Sequence, residues 1–380
     1  MGVSKVLVVG GGITGSVLAL ALARRGVRVE LVEISPVWHG VGHGITVQGN
    51  ALRAFEQVGV LDEILERGVP FDRMRLLQAD GGLIVEAPTP RTGGPRLPAT
   101  LGALRSDIQT VLCDRIYAAG VTVRLGLTVS ALAQDSQHAY VEFSDGTAGT
   151  YDLVVGADGI RSAMRGLIGV DAAPQPTGMS IWRVVAERPA AMDCAEVYYG
   201  GPRYKAGYSP ISADQCYAYI LDQDATLADF GGGEGGRAAW ELMYERSEGY
   251  GGTWGEIREK IGPDSHVSHT RIEWLLARDP WFRGRAIVVG DAAHACPPLV
   301  AQGAAMCAED AVVLAELVTG AAPLERALPA FMARRWPRVE IVVRNSMQLV
   351  RWETGLEPHT DQDVADTMGA TLGFLAAQGA

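Results

Sequence analysis

The chain reads as an α/β (α+β) protein: a Rossmann-like dinucleotide-binding domain with an inserted β-sheet domain and C-terminal helices. Three observations predict this. A strand, a glycine turn, a helix and a second strand ending in an acid open the chain, from Lys5 to Glu33. Two later apolar runs, Leu153 to Gly156 and Ala286 to Gly290, each end in a turn carrying Gly and Asp. Between them, from about Gly178 to Asp222, strand-like runs replace the alternation of strand and helix. The division expected is 1–72, 100–175 and 276–330 for the nucleotide-binding domain, 73–99 and 176–275 for the inserted sheet, and 331–380 for C-terminal helices. A chain of 380 residues is past the roughly 250–300 at which a single core stops growing.

Lys5 to Val9 is a short β-branched apolar run, as in a strand buried on both faces. Gly10 to Gly15 is the turn, Ser16 to Arg25 a helix stopped by Gly26, and Val27 to Val32 the second strand. Ala51 to Glu66 has helical spacing and breaks near Gly59 into two helices. Met74 to Val85 contains Asp80-Gly81-Gly82, a hairpin signal, and 87–100 is a Pro-, Gly- and Thr-rich loop. Asp107 to Ala119 is an amphipathic helix, followed by strands at Val121 to Leu125, Ser130 to Leu132 and Ala139 to Phe143. The inserted sheet takes Ser180 to Val185, Glu196 to Tyr199 and Tyr217 to Leu221. Gly231 to Gly236 and Gly249 to Gly255 read as flexible glycine-rich segments flanking a helix from Arg237 to Arg246. Leu299 to Leu317 leads into a long helix, and 325–352 and 361–377 are helices.

Composition excludes several functions. A net charge of −11 and a pI near 5.2 leave no basic face for nucleic acid or an anionic membrane. The apolar stretch Ile13 to Ala23 is shorter than the roughly 20 residues that span a bilayer, and the glycine break before it is not that of a signal peptide. Val6 stands where a myristoylation signal at Met1-Gly2 needs Ser or Thr. Five dispersed cysteines without a C-x-x-C pair fit free thiols in a reducing, cytoplasmic setting, and no Cys/His cluster has metal-ligand spacing.

Gly10-x-Gly12-x-x-Gly15 carries specific chemistry. The glycines permit a tight turn, approach to a pyrophosphate and close helix–sheet packing, and Ile13 and Thr14 open the helix whose positive end faces the phosphate. Glu33, about twenty residues on, is placed to accept from ribose hydroxyls and disfavours a 2′-phosphate. Gly231 to Gly236 also satisfies G-x-G-x-x-G, but no strand precedes it and no strand ending in an acid follows, so it reads as a loop. No second dinucleotide site is evident.

Three segments in this order, Gly10 to Gly15, Gly156-Ala157-Asp158-Gly159-Ile160-Arg161-Ser162, and Gly290-Asp291-Ala292-Ala293-His294 with Pro298, Gln302 and Gly303, resemble the p-hydroxybenzoate hydroxylase-like (class A) aromatic hydroxylases. The resemblance spans essentially the whole chain. It implies non-covalent FAD, NADPH or NADH as co-substrate, and transfer of one oxygen atom from O₂ through a flavin C4a-hydroperoxide. The substrate would be an electron-rich, aromatic or polycyclic small molecule. No protein nucleophile is required, and a monomer or homodimer is implied.

By this resemblance Asp291 takes a ribitol or ribose hydroxyl. The backbone at Pro298, Ala301, Gln302, Gly303 and Ala304 faces the flavin edge, where N–H groups stabilise negative charge. Arg105 contacts FAD phosphate or ribose, and His43-Gly44-Ile45 passes along the ring, with Arg53 following on a helix. Asp158 and Arg161 serve FAD pyrophosphate or NAD(P)H. Trp182, Arg183, Tyr208 and Tyr217 are the substrate-pocket candidates, although a core Trp with a salt-bridged Arg reads equally well. His294 is a general base or, more simply, a structural histidine; Cys296 is a flavin attachment point or a packing residue. The family pattern has Gly at 301 and Asn at 305, where this chain has Ala301 and Ala305; backbone donors survive the first change if φ is negative. Two other readings stay open. A halogenase or double-bond reductase on the same fold is one, although the Trp-x-Trp-x-Ile-Pro signature of halogenases is absent and a reductase works without O₂. A non-enzymatic FAD module is the other, and it predicts no substrate-stimulated NAD(P)H oxidation.

Overall fold

The computed structural model describes residues 3–38, 42–226, 228–232 and 236–377. The opening residues Met1-Gly2 and the centre of the second glycine run, 233–235, lie outside these.

The first sheet has the order Phe282–Arg283, Ala286–Val288, Leu153–Gly156, Lys5–Val9, Arg28–Glu33, Thr122–Leu125, with only the first, edge strand antiparallel to its neighbour. The three motif-bearing strands are therefore consecutive neighbours. Their parallel direction delivers all three turns to the same, carboxyl edge of the sheet, where ligands of such folds bind. Val6 to Val9 and Leu153 to Gly156 are buried, as strands covered on both faces must be. The helix Ile13–Ala23 is buried from Ile13 to Leu22 because it lies between Arg105–Ala118, Gly303–Val318 and the sheet; that is why it lacks a polar face.

The helix begins at Ile13, three residues earlier than the pattern suggested, because Gly12 already serves as its N-cap. The two helices broken near Gly59 are Gly49–Val58 and Leu61–Glu66, with Gly59 left-handed at φ 74°. Arg105 opens its helix, Arg105–Ala118, where the sequence placed it just before.

The inserted sheet has eight strands: His294–Ala295, Val267–Leu276, Gln175–Glu187, Gln215–Gln223, Lys205–Pro210, Ala195–Tyr199, Arg73–Gln78 and Leu83–Pro88. Lys205–Pro210 and Val267–Leu276 had no clear alternation in the sequence. Lys205–Pro210 is buried at every residue, so neither face had to be polar. One face of the sheet carries Trp182, Val184, Tyr198, Tyr208 and Ile220 against the helices Ala239–Arg246 and Gly252–Arg258. The other carries Met179, Ile181, Leu221 and Ile272 against Val350 of the C-terminal helix Leu324–Glu353.

The expectation of a flexible Gly249–Gly255 segment fails. Its last residues open the helix Gly252–Arg258, and Trp254 is fully buried against Tyr208, Tyr198 and Tyr250. Glycine content suggested looseness, but one large aromatic side chain fixes the segment. Trp254→Ala should therefore cost about 3–5 kcal/mol, the range for emptying a large aromatic site. Urea unfolding of the two proteins measures it, and a loss below about 1 kcal/mol would show that the segment is not anchored.

Candidate functional site

The three turns meet around one peptide and one crossing. The peptide is Gly11. Its carbonyl accepts from Ser16 Oγ (3.0 Å), Trp38 Nε1 (2.8 Å) and Gln109 Nε2 (2.9 Å), and its N–H donates to Glu33 Oε2 (2.7 Å). With that peptide locked, a Cβ on Gly12 would project into open space, whereas one on Gly10 would strike the Ala157 carbonyl at 2.4 Å and one on Gly15 the Gly10 carbonyl at 1.9 Å. Two glycines are thus required by packing and the third lines an open cradle. Trp38, Ser16 and Gln109 escaped the sequence reading, since each acts through a backbone carbonyl and leaves no motif.

The crossing is at Gly290, with φ 61°. A Cβ there would meet Thr14 Oγ1 at 2.4 Å and Cys307 Sγ at 3.1 Å, so the third turn, the first helix and the helix Gly303–Val318 touch. Both helices begin without a side-chain cap and without an acid in the first turn. Two sets of unsatisfied N–H groups and two positive helix ends are left for a ligand. One suits a pyrophosphate and the other the electron-rich edge of a flavin. The residues present therefore fit FAD.

Asp291 is exposed to this cleft although protein crowds it closely. Burial pushes its carboxyl up, opposed by His294, by the Cys307 thiol and by Arg105. Among the described residues its side chain accepts one hydrogen bond, from Cys307 Sγ at 3.5 Å, which leaves acceptor capacity free. Arg105 is exposed at the start of its helix and makes no ion pair among the described residues. Glu33, in contrast, already accepts from Gly11 and, through Oε1, from Ser35 N (2.8 Å).

Other candidates are placed differently. Asp158 holds its own turn, accepting from Ser162 Oγ (2.5 Å) and Met164 N (3.0 Å), and Arg161 is exposed in an ion pair with Glu273 (2.6 Å). Gly44 opens the strand Gly44–Gln48 and packs on Tyr217, where its Cβ would stand 2.2 Å from that residue's Cβ. His43 lies within electrostatic range of both Arg105 and Arg183; burial first, then Arg183, pushes its pKa down. Ala301 has φ 51°, the one non-glycine residue with positive φ among those described, so the condition of a negative φ is not met. The methyl group is accommodated in a left-handed turn that costs roughly 1–2 kcal/mol. Gln302 is buried and precedes Gly303 and Ala304 at the helix start, while Pro298 stands exposed at the head of the turn. Cys296 packs near Gly303, and burial raises its thiol to about 12, which keeps it protonated and poorly nucleophilic at neutral pH. Arg53 pairs with Glu309 at 3.3 Å.

The four substrate-pocket candidates do not share one cavity. Successive residues on a strand point to opposite faces. Trp182 and Tyr208 enter the back core under the two helices, whereas Arg183 lies opposite Tyr219 on the inner face, within electrostatic range of Tyr217. Leu299, from the flavin-edge turn, packs into the inner-face cluster with Tyr219 and Met347.

Two outcomes follow for cofactor binding. Asp291→Ala should weaken FAD binding more than Glu33→Ala, with a loss of about 1.5–3 kcal/mol for a hydrogen bond to a charged acceptor. Equal losses in a fluorescence titration would overturn this ordering. Because a carboxylate accepts more strongly than a protonated carboxyl, and burial raises its pKa, FAD affinity should fall as pH drops through that raised value; Asp291→Asn should flatten the dependence. Separately, Ala301→Gly should raise stability by a few tenths to about 1 kcal/mol, the left-handed penalty less the glycine entropy. Denaturant midpoints test it, and a loss would contradict the assigned turn.

A family model described as "FAD binding domain" matches residues 3–208 and 263–346. The 2-heptyl-3-hydroxy-4(1H)-quinolone synthase of Pseudomonas aeruginosa is 31% identical over 357 residues, covering 92% of this chain and 90% of the relative. The aurachin C monooxygenase/isomerase of Stigmatella aurantiaca is 30% identical over the same shares. Among solved structures, 2-methyl-3-hydroxypyridine-5-carboxylic acid oxygenase superposes with a TM-score of 0.81 at 23% identity, covering 99% of this chain and 96% of that one. With the glycine cradle, the free Asp291 and the two uncapped helix starts in one cleft, these matches establish that the chain belongs to the FAD-binding-domain family of class A flavoprotein monooxygenases and aromatic hydroxylases.

Proposed function

We propose that this FAD-dependent monooxygenase hydroxylates an aromatic or heteroaromatic small molecule that presents an anionic or strongly polarised oxygen to Arg183 and Tyr217. The observation that carries this is Arg183 itself. It makes no ion pair among the described residues, donates to Thr270 Oγ1 (2.6 Å), lies within electrostatic range of Tyr217, and faces the side from which Leu299 approaches. An unpaired guanidinium on a largely apolar face is a site for a ligand oxygen. Ile181, Tyr219 and Met347 offer the apolar remainder of the wall. The names of the relatives fit: a hydroxyquinolone synthase and, at 28% identity, a 3-hydroxybenzoate 6-hydroxylase of Polaromonas naphthalenivorans.

Bound FAD, reduced by NADH or NADPH, supplies the activation of O₂ and the transfer of one oxygen atom. The chain supplies the rest. Gly12 and the N–H groups at Ile13 and Thr14 bind pyrophosphate, Glu33 and Asp291 hold hydroxyls, Arg105 neutralises phosphate, and Gly303 and Ala304 turn N–H groups to the ring edge. Gly44 allows Tyr217 to close against that side, which helps to exclude water. Asp158 and Arg161 are the nicotinamide-cofactor candidates; Asp158 acts there by shaping its turn. Residues 73–99 and 176–275 form the substrate domain in this reading. All three motifs come from one chain, so a monomer or homodimer suffices, and the five free cysteines suit the cytoplasm.

Hydroxylated quinolones, pyridines and benzoates should each be screened for stimulated NAD(P)H oxidation. A true substrate should incorporate one atom from ¹⁸O₂. Conversion that proceeds under nitrogen would exclude the reading. Arg183→Met should raise KM for the same substrate about tenfold or more, the size of a charge-assisted hydrogen bond; an unchanged KM would remove Arg183 from the pocket.

A further inference from the structure

Beneath the cleft lies a cluster of buried charges with no free acceptor for a ligand. Asp310, Glu309 and Arg335 are completely buried, and Arg338 nearly so. Asp310 Oδ2 accepts from Gly290 N (2.9 Å) and His294 Nε2 (2.6 Å), while Oδ1 accepts from Arg335 Nε (2.7 Å). Arg335 Nη1 donates to Glu309 Oε2 (2.6 Å). Glu309 Oε1 accepts from Arg338 Nη2 (2.6 Å) and Asn50 Nδ2 (3.2 Å), and the same Asn50 nitrogen reaches Gln302 Oε1 (3.1 Å).

Besides Arg53 and the Leu375 carbonyl, the cluster reaches two turns that line the cleft. One is Gly290, whose φ of 61° sets the direction of Asp291. The other is Gln302, the last residue before the helix that faces the flavin edge. The arginines come from elsewhere, the C-terminal helix Leu324–Glu353. Buried ion pairs are weak sources of net stability, because desolvation offsets most of the attraction. Their placement on the two turns therefore asks for a role besides holding the fold.

We propose that Arg335 is a positioning residue of the cofactor site: docked from the C-terminal helix, it orients the Gly290–Asp291 turn through Asp310 and the Gln302 turn through Glu309 and Asn50. Arg335 is completely buried and acts through the two carboxylates. Packing of the helix Leu324–Glu353 is then a condition for a formed FAD site, and FAD binding in turn stabilises that packing. The inference rests on Asp291 serving FAD.

The test compares FAD dissociation constants and apoprotein thermal midpoints for D310N, R335K and D222N. Asp222 forms a buried pair with Arg246 (2.9 Å) on the back face of the substrate sheet, away from both turns, and is the stability control. In the positioning role, D310N raises the FAD dissociation constant about tenfold or more, as loss of a charge-assisted contact would. D222N lowers the midpoint without that change. R335K keeps the charge but cannot bridge both carboxylates, so it should fall between wild type and D310N. It carries the comparison if D310N does not accumulate folded. Equal FAD affinity in D222N and in D310N, or in R335K when it stands in, measured the same interval below their midpoints, overturns the proposal. Weakened binding in D291A with wild-type affinity in D310N or R335K overturns the relay alone. Wild-type affinity in D291A overturns the assignment of Asp291 as well.

Discussion

Everything in the cleft depends on the absence of one side chain. At position 290 the chain leaves the sheet and passes over the start of the first helix with no room for a methyl group. That crossing brings the third turn within reach of the first. It sets Asp291 into the cleft and lets the helix Gly303–Val318 lie along the helix Ile13–Ala23. The parallel sheet supplies the direction and Gly290 the proximity. With a larger residue there, the two helix starts would be pushed apart and the cleft between them would not form as one site.

Charge is distributed around this crossing in two tiers. The cleft itself is lined by two positive helix ends, Arg105 and the Asp291 carboxylate, which has acceptor capacity to spare. Behind it, Asp310 is held ionised: burial opposes its charge, but His294 and Arg335 outweigh that cost and keep its pKa low. The front tier keeps hydrogen-bonding capacity for a ligand, whereas the Asp310 carboxylate behind it is satisfied internally. Such a contrast lets a site remain open without the fold collapsing into it.

Much of this was legible in the amino-acid order. The opening unit, the glycine turn, Glu33 and the third motif are local patterns, and local patterns survive in a sequence. The inserted sheet was legible where alternation marked it, and unreadable at Lys205–Pro210, where both faces are covered. The site's support was not legible. Gln109, Trp38, Asp310 and Arg335 act across 93 or more, 27, 16 to 20, and 25 residues of chain through single backbone or carboxylate atoms. Nothing in their neighbours announces that partner. Trp182 misled because an aromatic residue beside an arginine looks like one site, while the pleat sends the two to opposite faces. Ala301 misled because the left-handed turn that glycine usually serves is kept here with a methyl group.

The same pleat has a consequence for how this chain can change. On the strand Gln175–Glu187, Ile181 and Arg183 look toward the cofactor side, while Trp182, Val184 and Ala186 are bound into the core under the helices. In the proposed reading, binding preference rests on Arg183, half-buried on the inner face, whereas Met179 and Ile181 on that face and Trp182 and Val184 on the other are packed into cores. A change at Arg183 would then alter what the pocket accepts while its neighbours hold the scaffold still. A lineage can explore new substrates here one residue at a time, without first rebuilding the domain that presents them.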